Sequence, residues 1–552
     1  MGKYKKIITT YAFTLILSVV LGVEVFAAPP LNWDFREKNP NVGNTEKTMS
    51  AANINKLKAS GAIRLDEKML GVIAPTENKI LVIRVGFADK AMAEPIATAT
   101  TFMSSVRDFY SENSYGLFTA SSTVSVSSYT LLAISNYNDE SVEAIYKLLN
   151  DTINAANPDI DFSQFDHVMI YHAGFGEEMS GVSADIWSMY YPATFIVDYK
   201  TFVGFTIVPE SAPAGKSSLG VICHEYGHQL ALPDLYDTSV SGGQSICGTW
   251  SLMDYPYGYD NKGSNPSHLD SWCKDYLGYI DLTSREIPSG TNAELFWGDI
   301  ETSQTTGFYK IPIEIGTGNE YFIVEYREPS IKINYDLSIP ATGLAVWHID
   351  DTIARNDARL ASNSINIGIP NLAVELVCAD NTSVFPPGEP GDVFKAADTF
   401  TTPQSNSYTG VPTGITLAQI VLMASRATAS IASFSAAQSV SFSKIINYPN
   451  PAGQGYSHPK SGSGIITTIV FKSPRPPIDL SMTIYNLVGE KVLSIPNGGF
   501  TFQINKSDDY DWVYEYDWNG KNQSGDDVPP GLYLYRIRAD SEKKAGKLAI
   551  VR

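Results

Sequence analysis

The first strongly patterned stretch of the chain is Ile80-Leu81-Val82-Ile83-Arg84-Val85, a β-branched run that predicts a buried strand. Thr101 to Asn113 then has helical spacing, ending just before Tyr115-Gly116, and Ser121 to Tyr129 alternates as a strand. A second helix is predicted over Glu140 to Ala156 and another strand over Phe165 to Tyr171. Helices interleaved with strands in this way imply a mixed α/β domain. From about residue 286 the pattern becomes β, with runs at Phe308 to Ile315, Glu320 to Tyr326, Gly343 to Ile349 and Leu372 to Val377 separated by Gly, Pro and Asn turns. A Ser/Ala-rich stretch, Met423 to Gln438, closes this part. Beyond it the alternation in Ser481 to Tyr485 and Tyr533 to Ile537 reads as a small β-sandwich.

The chemistry concentrates in Ile222 to Tyr255, which opens ICHEYGHQLALPDLYD. His224 and His228 are four residues apart, so a helix stacks them on one face about 5 to 6 Å apart, where both imidazoles reach one metal ion. Glu225 points off that shared face, toward the open side of such an ion, and is placed as a base for water rather than as a ligand. A tetrahedral zinc needs a third protein ligand and an open position. Asp234 is the best candidate, with Asp237 and His268 as nearby alternatives. Asp234 is too far along to return on the same straight helix, so the chain must bend. Pro233 disfavours helical geometry at Leu232 and should end the helix near Leu230 or Ala231. Downstream, Ser251-Leu252-Met253-Asp254-Tyr255 has the form of a tight turn that can floor the site with a methionine.

HEYGHQLALPDLYD followed by GTWSLMDYP resembles the immune inhibitor A-like metallopeptidases, on the metzincin side of the zinc peptidases. VIRVGFADK, DFYSENSYG, HAGFG and DIWS extend the resemblance from about 79 to 285. NEYFIVEYRE, GLAVWHIDD and SYTGVPTGI are similar to the β-rich region that follows such a domain. By position the resemblance implies His224, His228 and Asp234 as zinc ligands, Glu225 as general base and Met253 beneath the metal. Tyr255 would donate a hydrogen bond to the tetrahedral oxyanion, as the matching tyrosine does in some metzincins; a packed aromatic is the alternative. One departure is Ala231, where the family has glycine. NYPNPAG, LSMTIYNLVGEKVLSI and PPGLYLYRIRA resemble the immunoglobulin-like domains of flagellar hook-capping proteins and of type IX secretion sorting.

The expected architecture is therefore α+β and multidomain. Residues 1–27 are read as a signal peptide, 28–78 as a leader or pro-segment with a short helix near Asn53 to Lys58, and 79–285 as a mixed α/β, metzincin-like zinc peptidase domain. A β-rich domain follows over 286–438, and a C-terminal immunoglobulin-like β-sandwich for sorting or accessory use over 439–552. The expected function is a secreted endopeptidase acting on extracellular proteins or peptides, with surface-sorting machinery as a further partner. A non-catalytic adhesin with a relict metal site is the rival from another class.

Length and composition agree with this reading. At 552 residues the chain is too long for one core. A formal charge of −19 argues against nucleic-acid or anionic-membrane partners. Lys3, Lys5 and Lys6, the apolar run Ile7 to Val23 and the small residues before Ala28 have the three parts of a secretory signal, cut after Ala27. No other segment is suited to cross a bilayer. The four cysteines, Cys223, Cys247, Cys273 and Cys378, match no zinc-ribbon spacing, leaving a bridge such as Cys247 to Cys273 and buried thiols both open.

Four other signals have weaker readings. Asp159, Asp161 and Asp166 are candidates for calcium, but they lack EF-hand spacing and a solvated turn is preferred. His172 at a strand end is read as structural, as are His348 and Asp350. Ala214-Gly215-Lys216-Ser217 fails as a phosphate loop because Glu210 stands where the first glycine is required.

Overall fold

The computed structural model describes residues 26–27 and 76–551, apart from 140, 240–243, 289, 315–318, 330–333, 368–370, 383–387, 433–444, 454–463, 465, 474–479, 497–498, 506–510 and 540–541. Most of the expected signal peptide and leader, including the helix near Asn53 to Lys58, lies outside the described residues. The described chain is β-rich and α+β, with five sheets and a few mostly short helices.

The first sheet is mixed. It takes β1 (Phe26–Ala27), β2 (Thr76–Phe87), β3 (Phe118–Leu131), β4 (His167–His172), β5 (Met189–Val197) and β6 (Lys200–Pro209) in the order β1-β5-β6-β4-β2-β3. β2, β3, β4 and β6 run parallel; β5 returns antiparallel on β6. The unbroken apolar run in β2 follows from burial on both faces. Ile80 and Val82 face the core beneath the helices Ile96–Asn113 and Leu219–Gln229, whereas Leu81, Ile83 and Val85 face the core beneath the helix Val142–Ala156. Phe26 and Ala27, on the N-terminal side of the expected cut, pair with Tyr190 and Met189.

The next region packs directly on this layer. β7 (Asn292–Gly298), β8 (Phe308–Pro312), β9 (Glu320–Arg327), β10 (Gly343–Asp350), β11 (Val374–Leu376), β12 (Thr416–Met423) and β13 (Arg426–Ala432) make two antiparallel sheets, β11-β10-β9-β8 and β12-β13-β7. Alternation splits the first of them cleanly. Ile323, Trp347 and Ile349 join the core under the Leu219–Gln229 helix, while Phe322, Val324 and Val346 face the β7/β12/β13 sheet. A buried ion cluster adds to this seam. Arg327 pairs with Asp336 at 2.6 Å, Glu301 at 2.9 Å and Glu325 at 3.0 Å, and Lys274 reaches Glu301 at 3.0 Å.

Two further sheets form the C-terminal part, one running Ile445–Tyr448, Thr467–Ser473, Asp511–Trp518 and Thr501–Asn505, the other Ala452–Gly453, Glu542–Val551, Gly531–Ala539, Leu480–Asn486 and Lys491–Ile495. They share a core that includes Phe471, Met482, Trp518 and Leu548. All four cysteines are unpaired and buried. No helix among the described residues is long and apolar enough to cross a membrane.

Candidate metal centre

The helix Leu219–Gln229 is buried on every side. It ends in a Schellman bend: Ala231 N–H donates to the His228 carbonyl at 2.8 Å, Leu232 N–H donates to the Gly227 carbonyl at 3.0 Å, and Ala231 takes φ 73°. The bend turns the chain back so that Asp234 reaches the two histidines. Leu235, just beyond Asp234, holds the Met253 turn, its N–H donating to the Met253 carbonyl at 2.9 Å. Met253 lies directly under the helix. A Cβ on Gly227 would stand 2.8 Å from its sulfur, so glycine is what lets the turn approach between the two histidines.

His224, His228 and Asp234, all buried, bring three ligand atoms together. His224 Nε2 and His228 Nε2 are 3.1 Å apart, and Asp234 Oδ1 is 3.1 Å from the first and 3.3 Å from the second. The opposite ring nitrogens fix the tautomers. His224 Nδ1 donates to the Leu252 carbonyl at 2.9 Å and His228 Nδ1 to the Leu232 carbonyl at 2.8 Å, since a carbonyl only accepts. In the neutral rings each Nε2 is thus a lone pair. Burial lowers the His228 pKa and favours that neutral form. Burial alone would raise the Asp234 carboxyl, but positive charge on the His228 and His224 rings, where they are protonated, outweighs it and holds Asp234 below the usual carboxylate range.

Three converging acceptors repel one another unless a cation lies between them. Zinc bonded at about 2.0–2.1 Å in a tetrahedron separates its ligand atoms by about 3.3–3.4 Å, close to the triangle observed. The residues therefore fit a zinc ion, and a tetrahedral ion held by three protein ligands would keep its fourth position for water or substrate.

Glu225 is buried on the same helix, one residue after His224. Tyr255 is buried, packs edge-to-face on Tyr257 with ring centroids 5.1 Å apart, and donates its hydroxyl to Asn261 at 3.0 Å. Asp237 caps its own turn through Ser239, and His268 is held by Glu112 at 2.8 Å and by Glu301, so neither alternative ligand joins the triangle. The three acids weighed for calcium are taken up separately. Asp159 accepts from Tyr129, Asp161 caps the turn at Ser163, and Asp166 binds Lys79 N–H and Lys200. His172 is buried with Nδ1 on the Ala173 carbonyl, His348 pairs with Glu320 at 2.7 Å, and Asp350 caps Thr352. Among the described residues, only His224, His228 and Asp234 gather three such ligand atoms.

Sequence reasoning did not single out Tyr257 or Asn363. Tyr257 is buried close enough to Glu178 and Glu225 that their charges add to burial in raising its phenol. Asn363, from the β-rich region, bonds Asp234 twice. Tyr257 stands two residues past Tyr255, where an aromatic carries no motif of its own, and Asn363 acts from a segment 129 residues beyond Asp234.

A two-histidine helix, a carboxylate beyond its bend and a methionine turn beneath define the class as a metallopeptidase domain. Residues 146–280 match the family described as immune inhibitor A peptidase M6, catalytic domain. Over 161 residues the chain is 34% identical to the pre-pro-metalloprotease PrtV of Vibrio cholerae serotype O1, covering 26% of this chain and 16% of that protein. Over 194 residues it is 28% identical to immune inhibitor A of Bacillus thuringiensis subsp. alesti, covering 27% of this chain and 28% of that protein. The chain thus spans less than a third of the length of these relatives. A solved structure of PorZ, a surface component of the type IX secretion system of Porphyromonas gingivalis, matches with a TM-score of 0.18 and 12% identity over 44% of this chain and 23% of that one. At that score it carries no argument about the fold.

Proposed function

We propose that the protein is a secreted zinc-dependent endopeptidase that hydrolyses peptide bonds in extracellular proteins. The observation that carries this reading is the buried triangle of His224 Nε2, His228 Nε2 and Asp234 Oδ1, with edges of 3.1 to 3.3 Å. When bound there, zinc would acidify a water from a pKa of 15.7 toward about 7 and polarise a peptide carbonyl. The Leu252 and Leu232 carbonyls keep the imidazoles oriented with their lone pairs inward. Glu225 is the general base that takes the water proton on its carboxylate and returns it to the leaving amine. Tyr255 is a neutral phenol, since burial raises its pKa, and it supplies a hydrogen bond to the oxyanion by exchanging its bond to Asn261.

The bent helix end and the methionine turn support a metzincin-like arrangement for residues 79–285. The two C-terminal sheets around one core support an immunoglobulin-like sandwich, used for surface sorting or as an accessory module. Export through the N-terminal signal, cut after Ala27, completes the proposal and places the enzyme outside the cytoplasm.

The test is casein hydrolysis by purified protein with zinc content measured in parallel. Glu225→Gln should keep about one zinc per chain and lose hydrolysis, while Tyr255→Phe should lower turnover without releasing metal. Full hydrolysis by Glu225→Gln would remove Glu225 as the base.

A further inference from the structure

The geometry points to Asn363 as the residue that positions the third metal ligand, so that the β-rich region completes the metal centre of the peptidase domain. This inference rests on the zinc reading of His224, His228 and Asp234.

Asp234 differs from the two histidines in its support. The histidines sit on a buried helix, and carbonyls of nearby chain hold both rings. Asp234 lies past the bend, and its orienting partner comes from 129 residues downstream. Asn363 Nδ2 donates to Asp234 Oδ2 at 2.5 Å, and Asn363 Oδ1 accepts the Asp234 N–H at 2.8 Å. The pair is reciprocal and fixes the amide orientation, because the carboxylate only accepts and the backbone N–H only donates. With Oδ2 engaged, Oδ1 is the oxygen turned to the imidazoles, at 3.1 and 3.3 Å.

The surrounding chain makes this a built arrangement. Asn363 follows the short helix Asp357–Ala361, its N–H bonded to the Leu360 carbonyl at 3.3 Å, and holds φ 45° in a left-handed conformation that asparagine adopts more readily than most residues. It is 3% exposed. Two more bonds clamp the ligand's own turn to the same segment. Thr238 Oγ1 donates to the Asn363 carbonyl at 3.2 Å, and Asn366 Nδ2 donates to the Leu235 carbonyl at 2.7 Å. Asn366 in turn accepts from Ala373 and Val374 N–H, tying the clamp to β11. The 363–366 segment therefore grips residues on both sides of the Asp234–Leu235 bond from outside the peptidase domain. Asn363 touches neither substrate nor ion in this scheme; it acts by fixing which oxygen Asp234 presents. Groups that orient a metal ligand in this way are typically worth 10- to 100-fold in metal affinity.

The experiment is a competitive zinc titration against a chelating dye on the full chain, with thermal unfolding of the zinc-free protein alongside. Asn363→Gly removes the side chain and suits the left-handed backbone. It should weaken zinc binding by about 10- to 100-fold while zinc-free unfolding stays near that of the parent. Asn363→Asp keeps the shape but faces Asp234 with a second carboxylate, and should weaken zinc at least as much. Unchanged affinity in Asn363→Gly overturns the inference, as does a loss of affinity matched by collapse of the zinc-free fold. If the glycine variant does not fold, unchanged affinity in Asn363→Asp overturns it instead. A parent chain that binds no zinc defeats the metal reading itself, a separate outcome visible before any variant is made.

Discussion

Leu232 donates its backbone N–H to the carbonyl of Gly227 at 3.0 Å, closing the bend that carries the chain from the histidine helix to Asp234. The residue between them that takes the left-handed conformation is Ala231, at φ 73°, where a side chain carries a steric cost. Glycine removes that cost but loosens the unfolded chain, and at a left-handed cap the first effect wins. Ala231→Gly should raise the unfolding free energy by about 1 kcal/mol, read as a higher urea midpoint at unchanged slope, with casein hydrolysis kept or increased. A lower midpoint would mean that Ala231 makes contacts worth more than its backbone strain.

Arg327 joins the two layers. Its guanidinium is fully buried, bonds Asp336, Glu325 and Glu301, and also donates to the Trp250 carbonyl at 3.0 Å, two residues before the start of the Leu252–Met253 turn. Removing it leaves three buried carboxylates short of their shared cation. Arg327→Met should cost about 3–5 kcal/mol, and because one core runs through both layers, calorimetry should show the peptidase domain and the β-rich region still melting together at a lower temperature. Separate melting of the two would contradict the shared core.

Parts of this were legible in the sequence because they are local. The strand at Ile80 to Val85, the bend before Pro233 and the histidine spacing each follow from rules that act within a few residues; the described elements Thr76–Phe87 and Leu219–Gln229 contain the strand and the histidines, and the bend follows directly at Ala231 and Leu232. The histidine helix was legible through its motif alone, since burial on every side erases the polar face that periodicity needs. The β5–β6 hairpin escaped because Met189 to Val208 reads as nearly continuous apolar chain without a strong turn signal; its turn is made by Asp198 and Tyr199 at positive φ. The helix after the methionine turn is only Ser271–Tyr276, because Asp270 caps it by accepting the Cys273 N–H while the Leu269 and His268 N–H groups are drawn into bonds with Asn113 and Asp336. Asn363 illustrates the remaining limit. Its role depends on how one sheet lands on another, and no spacing rule spans 129 residues.

Glu178 sets a pH dependence of stability. It is buried near the peptidase core, accepts from Ser188 N–H at 3.0 Å and Ser188 Oγ at 2.8 Å, and burial pushes its carboxyl from 4.5 up to about 7. Below the ordinary value both folded and unfolded chains hold the proton. Between about 4.5 and 7 the unfolded chain releases it while the native chain keeps it, so stability falls as pH rises. Glu178→Gln removes this titration and keeps hydrogen-bonding groups for Ser188. Relative to the variant, the parent should lose ~3 kcal/mol across that window, with no further change above it, as read from urea unfolding at a series of pH values. A constant difference across the series would show that Glu178 ionises normally.

The C-terminal sandwich should be separable from the rest. Among the described residues, its core of Phe471, Met482, Trp518, Leu548 and their neighbours shares no side chain with the clusters that unite the peptidase domain and the β-rich region. A hydrophobic core of its own is what lets a domain fold alone, whereas residues 286–432 have half of one sheet buried in the peptidase core and contribute Asn363 to the metal ligand. A chain ending at residue 438 should therefore bind zinc and cleave casein as the full chain does, and its urea unfolding should lose one transition while keeping the other. A chain cut at residue 285 should lose both zinc affinity and solubility, because it exposes the core face that Ile323, Trp347 and Ile349 cover. Full activity in the shorter chain together with failure of the longer one would reverse this assignment of which part belongs to the enzyme.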